Sequence, residues 1–215
     1  MDSQDFYSYI LPSKGGFLCS SECANEQWSQ KFREVPLLLE HLKKGIVPNV
    51  NNDYYISLFS FSETVRRKTT AQYAKALMID VDCHSEDDYS CIEDALKSLT
   101  SIAKEVQLPR PIIVSSGRGL HIFFPLQEEI ETQQWIKVNK AFIVMLSTLG
   151  LKLDLNVGIS PTVSTRIIGS TNSKNGNIVT ILTKNTPGVM NIEYYEDLVK
   201  DFIIEEPIPN KGSFN

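Results

Sequence analysis

Two aspartates, Asp80 and Asp82, stand in the otherwise apolar run Ala76-Leu77-Met78-Ile79-Asp80-Val81-Asp82-Cys83. On a β-strand this i, i+2 spacing points both carboxylates to one face. Adjacent carboxylates at a buried strand end repel one another and lose hydration. A cation between them relieves both costs, and an oxygen-rich pair suits Mg²⁺ or Mn²⁺. Downstream lies Ser115-Ser116-Gly117-Arg118-Gly119-Leu120-His121. Its glycines let backbone N–H groups approach phosphate oxygens, and Arg118 offers a fork of donors. A bare Asp-x-Asp also occurs at ordinary strand ends, and a histidine in a Gly-rich hairpin can bond locally. It is the combination that points to a metal beside a phosphorylated ligand.

Two further segments fit that chemistry. Asp154, flanked by Leu153 and Leu155, is the best-placed third carboxylate downstream of the hairpin. The stretch Ser164 to Lys174 holds Arg166 in a strand and sets Asn172 and Lys174 in the turn after Gly169. Such a cationic loop can face a triphosphate or a nucleic-acid backbone, although Gly, Ser, Asn and Lys are also common turn residues. Arg66-Arg67-Lys68 is a candidate contact for template phosphates, or else a solvated charge run. Cys19-x3-Cys23 could supply half of a zinc site with Cys83, His84 or Cys91, but the spacings form no recognisable pair of knuckles.

The elements that must position these residues follow from periodicity and breakers. An amphipathic helix is expected from Asn25 to Lys44, kinked near Pro36, then a loop to Asp53 and an aromatic-rich strand over 54–61. A strand over 75–82 leads to a helix over 89–106. Strands 112–115 and 120–124 flank the Gly117–Gly119 turn as a hairpin. Thr132 is expected to cap a helix to Leu149 that Gly150 ends. Strands over 162–168 and 177–183 and a helix over 192–204 complete the pattern, which indicates an α+β or α/β sheet domain.

A chain of 215 residues with 42% hydrophobic content holds one sizeable domain. It is read as one catalytic unit over 1–204, with an N-terminal helical segment over 1–53, a core over 54–204 and a polar tail or linker over 205–215. The net charge of −5 gives no general footprint for nucleic acid, so such a role needs a local basic track and metal ions. Four cysteines without a signal peptide, and no apolar run of membrane-spanning length, predict a soluble cytoplasmic protein without a membrane partner.

In this order the four segments resemble the archaeo-eukaryotic primase superfamily, and within it the primase-polymerase-like enzymes of plasmids and viruses. The family's Asp-x-Asp is matched by Asp80-Val81-Asp82, its Ser and His around a Gly/Arg turn by Ser116 to His121, and its single Asp by Asp154. Its Arg-x-x-Gly-Thr-x-Asn-x-Lys stretch is similar to Arg166 to Lys174, where Thr171 stands one residue further from the glycine. The resemblance covers about residues 54–184 and implies an RRM-like mixed or antiparallel sheet flanked by helices. An N-terminal α/β unit would lie beside it, with the active site in the cleft between.

The implied activity is template-directed nucleotidyl transfer on single-stranded DNA, as a primase or DNA polymerase in plasmid or viral replication. Asp80, Asp82 and Asp154 would hold two divalent ions. Ser116, Gly117, Arg118, His121, Arg166 and Lys174 would hold an NTP or dNTP. The resemblance also implies a replicative helicase as partner, in cis or in trans, and an isolated catalytic module. An origin-binding module with little catalysis and a metal-dependent nuclease are the alternatives.

Overall fold

The structure is a computed structural model that describes residues 3–44, 52–83, 85 and 88–203. Helix α1 (Ser3–Ile10) precedes strands β1 (Phe17–Ala24) and β2 (Gln27–Glu34) and helix α2 (Val35–Lys43). Strands β3 (Asp53–Ser57), β4 (Phe59–Phe61) and β5 (Ala71–Asp82) lead to α3 (Ile92–Glu105), β6 (Ile112–Ser115) and β7 (Gly119–Glu131). Helix α4 (Thr132–Thr148), short strands β8 (Ser164–Arg166) and β9 (Thr180–Ile181), helix α5 (Ile192–Leu198) and a 3₁₀ turn at Lys200–Phe202 follow. All the named strands join one nine-stranded sheet, and every strand pair in it is antiparallel. The expected α+β architecture is present.

The N-terminal expectation is corrected. Residues 25–34 are not helical: β1 and β2 form a hairpin whose two turn residues, Asn25 (φ 49°) and Glu26 (φ 66°), are both left-handed. That is the turn whose twist matches a two-residue hairpin. Pro36 does not kink a helix; it sits in the first turn of α2, where its missing N–H costs nothing. Thr132 does not cap α4 either. The cap position is Glu131, and the Thr132 hydroxyl is buried with no partner among the described residues. The tail expected over 205–215 lies outside the described residues.

The feature that makes a site is a fork in the sheet. The expected strand over 54–61 breaks at Leu58, whose N–H turns to the carbonyl of Val163. Before the break β3 pairs with β8; after it β4 pairs with the start of β5. Beyond Ala74 the edge of β5 therefore has no strand beside it on that side among the described residues. Its backbone groups still need partners. The Trp135 indole donates to Ala76 O (2.8 Å), and Asn139 of α4 accepts from Met78 N (3.0 Å) and donates to Met78 O (2.9 Å). Asp154 N donates to Asp80 O (3.0 Å). Side chains of α4 and the 151–163 loop thus replace a strand.

Both faces of the β5–β7 ladder are covered. Phe6 of α1 meets Phe123 edge-on on one face, while Phe142 of α4 meets Phe124 and Trp135 meets Phe59 on the other. This explains why the centre of β5 is buried on alternate sides at Ala76, Leu77, Met78 and Ile79. No helix among the described residues is long and apolar enough to cross a membrane.

Candidate active site

The ladder register places the acidic residues. Asp80 lies directly opposite His121 and Asp82 opposite Gly119, so the three side chains share the face that carries Phe123. His121 Nε2 is 3.8 Å from Asp80 Oδ1, and His121 Nδ1 is 2.7 Å from the Thr165 hydroxyl. Thr165 belongs to β8, so this contact ties the two prongs of the fork together.

The Gly/Arg turn is held by close backbone packing. At Gly119 a Cβ would lie 2.3 Å from Val81 O, so only glycine lets the turn press against β5. Gly117 is left-handed (φ 97°), and a Cβ there would meet the Cβ of Asn172 at 2.8 Å. Asn172 Nδ2 donates to Ser116 O (2.9 Å), and Asn175 and Asn177 both donate to Gly117 O. The 116–119 turn and the 170–177 turn are one unit.

Arg166 is positioned by a residue that the sequence did not single out. Its guanidinium donates to the buried carboxylate of Asp53, which also accepts from Ser173 N (3.0 Å) and Ser173 Oγ (2.7 Å). Burial pushes the Asp53 carboxyl up, but the bonds from Ser173 and Arg166 and the arginine's charge outweigh it and hold the carboxyl below its usual range. The same guanidinium lies over the Tyr55 ring, 4.8 Å from its centroid.

These groups line a cavity of about 600 Å³, a volume that suits a drug- or nucleotide-sized ligand. Asp80, Asp82, Ser116, Arg118, His121, Arg166 and Lys174 all face it, together with Tyr55, Asn172 and the loop at Asn156–Ser160. Burial, and then the charges of Asp82 and Asp154, raise the Asp80 carboxyl to about 7. Burial, helped by the Arg166 charge, depresses His121 to about 4, so its imidazole is neutral at pH 7. A hard cation fits the Asp80–Asp82 pair, because it would supply the charge that this acidic wall lacks.

Asp154, the third carboxylate of the sequence reading, lies beside Asp80. Its backbone joins Asp80 and its charge reaches that carboxyl, but its Oδ1 accepts from Asn156 N (2.8 Å) and Val157 N within its own loop. Among the described residues no three His, Cys, Asp or Glu side chains form a metal cluster.

No protein-family model matches the sequence, and no curated protein matches it. Solved structures do. The primase-polymerase domain of cyanophage S-2L is similar at a TM-score of 0.61 and 10% identity, over 86% of this chain and 89% of that one. The catalytic domain of primase RepB′, solved with initiator DNA, is similar at 0.51 and 13% identity, over 86% and 85%. The chain shares the fold of these primase and primase-polymerase domains.

Within the primase fold, the basic run lies away from the cavity. Arg66, Arg67 and Lys68 occupy the turn between β4 and β5 and do not line it; Lys68 borders a separate hollow with Gln72 and Glu131. Cys19 and Cys23 are free thiols on β1, as are Cys83 and Cys91 in their segments, and His84 lies outside the described residues. Sequence reasoning missed Asp53, Thr165 and Asn139. Asn139 alone left a signal, a fully buried amide on the apolar face of α4 between Val138 and Phe142.

Proposed function

We propose that the chain is a metal-dependent nucleotidyltransferase acting on single-stranded DNA, as a primase or DNA polymerase. The observation that carries this is the opposition of two walls. Asp80, Asp82 and His121 lie in register on β5 and β7, and Arg166 and Lys174 face the same cavity from β8 and its following turn. Primase RepB′ was solved with initiator DNA, and the cyanophage domain is a primase-polymerase, which supports DNA as the substrate of this fold here.

Asp80 and Asp82 would hold divalent cations, Mg²⁺ or Mn²⁺, with Asp154 adding negative charge beside them. When bound, the cations lower the pKa of the attacking 3′-hydroxyl and balance the charge of the leaving pyrophosphate. Arg118, Arg166 and Lys174 bind the triphosphate, and Arg166 is preorganised for this by Asp53 and Tyr55. His121 and Ser116 contact the phosphates, the histidine as a neutral hydrogen-bonding group whose Nδ1 is fixed by Thr165. The cytoplasmic setting, the plasmid or viral context and a helicase partner belong to this reading. So does a role in DNA for the exposed Arg67 and Lys68.

The test is incubation with labelled nucleotides, Mg²⁺ or Mn²⁺, and unprimed circular single-stranded DNA. Cation-dependent products in the wild type that vanish in Asp82→Asn support the assignment. DNA degradation without nucleotides would replace it with a nuclease, and sequence-specific duplex binding without incorporation would replace it with an origin-binding module.

A further inference from the structure

Trp28 is 58% exposed, although exposing an indole forgoes more apolar burial than exposing almost any other side chain. The hairpin register explains where it points. Trp28 is opposite Cys23, Cys23 opposite Asp53, Ser21 opposite Tyr55, and Tyr55 opposite Arg166, so all of them share one sheet face. Because Ser21 and Cys23 are small, the Trp28 and Tyr55 rings approach across β1, with centroids 5.3 Å apart and planes tilted by 38°. Arg166 continues the row over the other side of Tyr55. An indole, a phenol and a guanidinium therefore run in sequence from solvent to the cavity wall.

We infer that Trp28 and Tyr55 form a stacking surface for a base of the single-stranded DNA that enters the cavity. The inference rests on the nucleotidyl-transfer reading for what lies at the inner end of the row. Every base has a π-face, so flat side chains in a line hold a strand without reading its sequence. The neighbours on this face favour a strand over a docked protein. Gln30 and Cys23 flank the indole, so Trp28 and Tyr55 form a narrow row and not the centre of a broad apolar patch. Arg166, paired with Asp53, ends the row as a flat cation over the Tyr55 ring.

Fluorescence tests this directly, because the chain has 2 tryptophans and the other, Trp135, is fully buried. The full chain is titrated with oligo-dT without metal or nucleotide. Quenching is expected in the wild type; with dye-labelled oligo-dT read by anisotropy, which needs no tryptophan in the variants, Trp28→Ala should weaken affinity about five- to 150-fold, the range typical of one stacked base, and Trp28→Phe should restore most of it. Unchanged affinity in Trp28→Ala, equal loss in Trp28→Phe, or no binding of oligo-dT would each overturn the inference. If Trp28→Ala does not fold, the wild-type titration decides, and absence of quenching overturns it. Quenching without nucleotide incorporation in the separate assay would keep the stacking surface and sink the polymerase reading. Incorporation with affinity indifferent to residue 28 would do the reverse.

Discussion

The acidic wall of the cavity comes from one ladder, β5 on β7, in continuous register from Ala76 to Asp82, whereas the wall carrying Arg166 and Lys174 is assembled from β3, β8 and a turn. In the ladder, alternation and register alone bring Asp80, Asp82 and His121 to one face. On the other side, three residues of β8 pair with β3, and the rest depends on side chains: Asp53 on Arg166 and Ser173, Asn172 on Ser116, Thr165 on His121. Backbone pairing thus fixes Asp80 and Asp82, the groups proposed to hold the cation, and side-chain bonds fix Arg166 and its turn, proposed to bind the phosphates. Substitutions in the first region should abolish chemistry, and those in the second should loosen binding.

The largest effect is expected in the ladder. Asp82→Asn should lower the incorporation rate by about 10³-fold, from loss of several kcal/mol of metal-assisted stabilisation, with the thermal midpoint nearly unchanged. A variant within tenfold of wild type would break the contrast.

Next comes the substitute edge of β5. Asn139→Ala leaves Met78 N–H and C=O buried without partners and should cost on the order of 2–5 kcal/mol, read by urea unfolding. A loss below about 1 kcal/mol would show that water replaces the amide readily.

Asp53→Asn sharpens the comparison from the other wall. The KM for nucleoside triphosphate should rise about tenfold while kcat changes less, because Arg166 and the 173–174 backbone lose their anchor. The substitution also has a pH signature. The folded carboxyl lies below its usual 3.8, so its stabilising contribution is complete above that value and is lost as pH falls through the folded value. The wild type should therefore lose more stability than Asp53→Asn between pH 5 and the acid limit. Parallel acid-unfolding curves would reject the buried ion pair as the cause.

The smallest effect is expected at the hairpin. Glu26 pays a left-handed φ of 66° that glycine adopts freely, so Glu26→Gly should stabilise by about 0.5–1 kcal/mol in a melting experiment. No change, or a loss, would mean that the glutamate side chain compensates.

The same division separates what was legible in the sequence. The strand ending at Asp82, the hairpin to His121 and the helix from Thr132 are local patterns with clear punctuation, and they stand as expected apart from the cap of α4. The hairpin of β1 and β2 was hidden because Trp28, Phe32, Val35 and Leu38 also fit helical spacing, and because its turn is Asn-Glu where Asn-Gly would have announced it. Asp53 and Thr165 were illegible for a different reason. Their partners lie 113 and 44 residues away, and only the fork at Leu58 brings them together. Asp154 lies beside Asp80 through its backbone N–H, and its Oδ1 accepts from Asn156 N in its own loop, a local turn that residue spacing does not show.

The most direct measurement is the affinity of a deoxynucleoside triphosphate with and without Mn²⁺, for the wild type and Asp80→Asn. Two opposed walls predict that Mn²⁺ tightens wild-type binding at least about tenfold and that Asp80→Asn loses this gain, as expected when an anionic ligand must share the site with carboxylates. Equal binding in a chelator, or an undiminished Mn²⁺ effect in Asp80→Asn, would contradict the account.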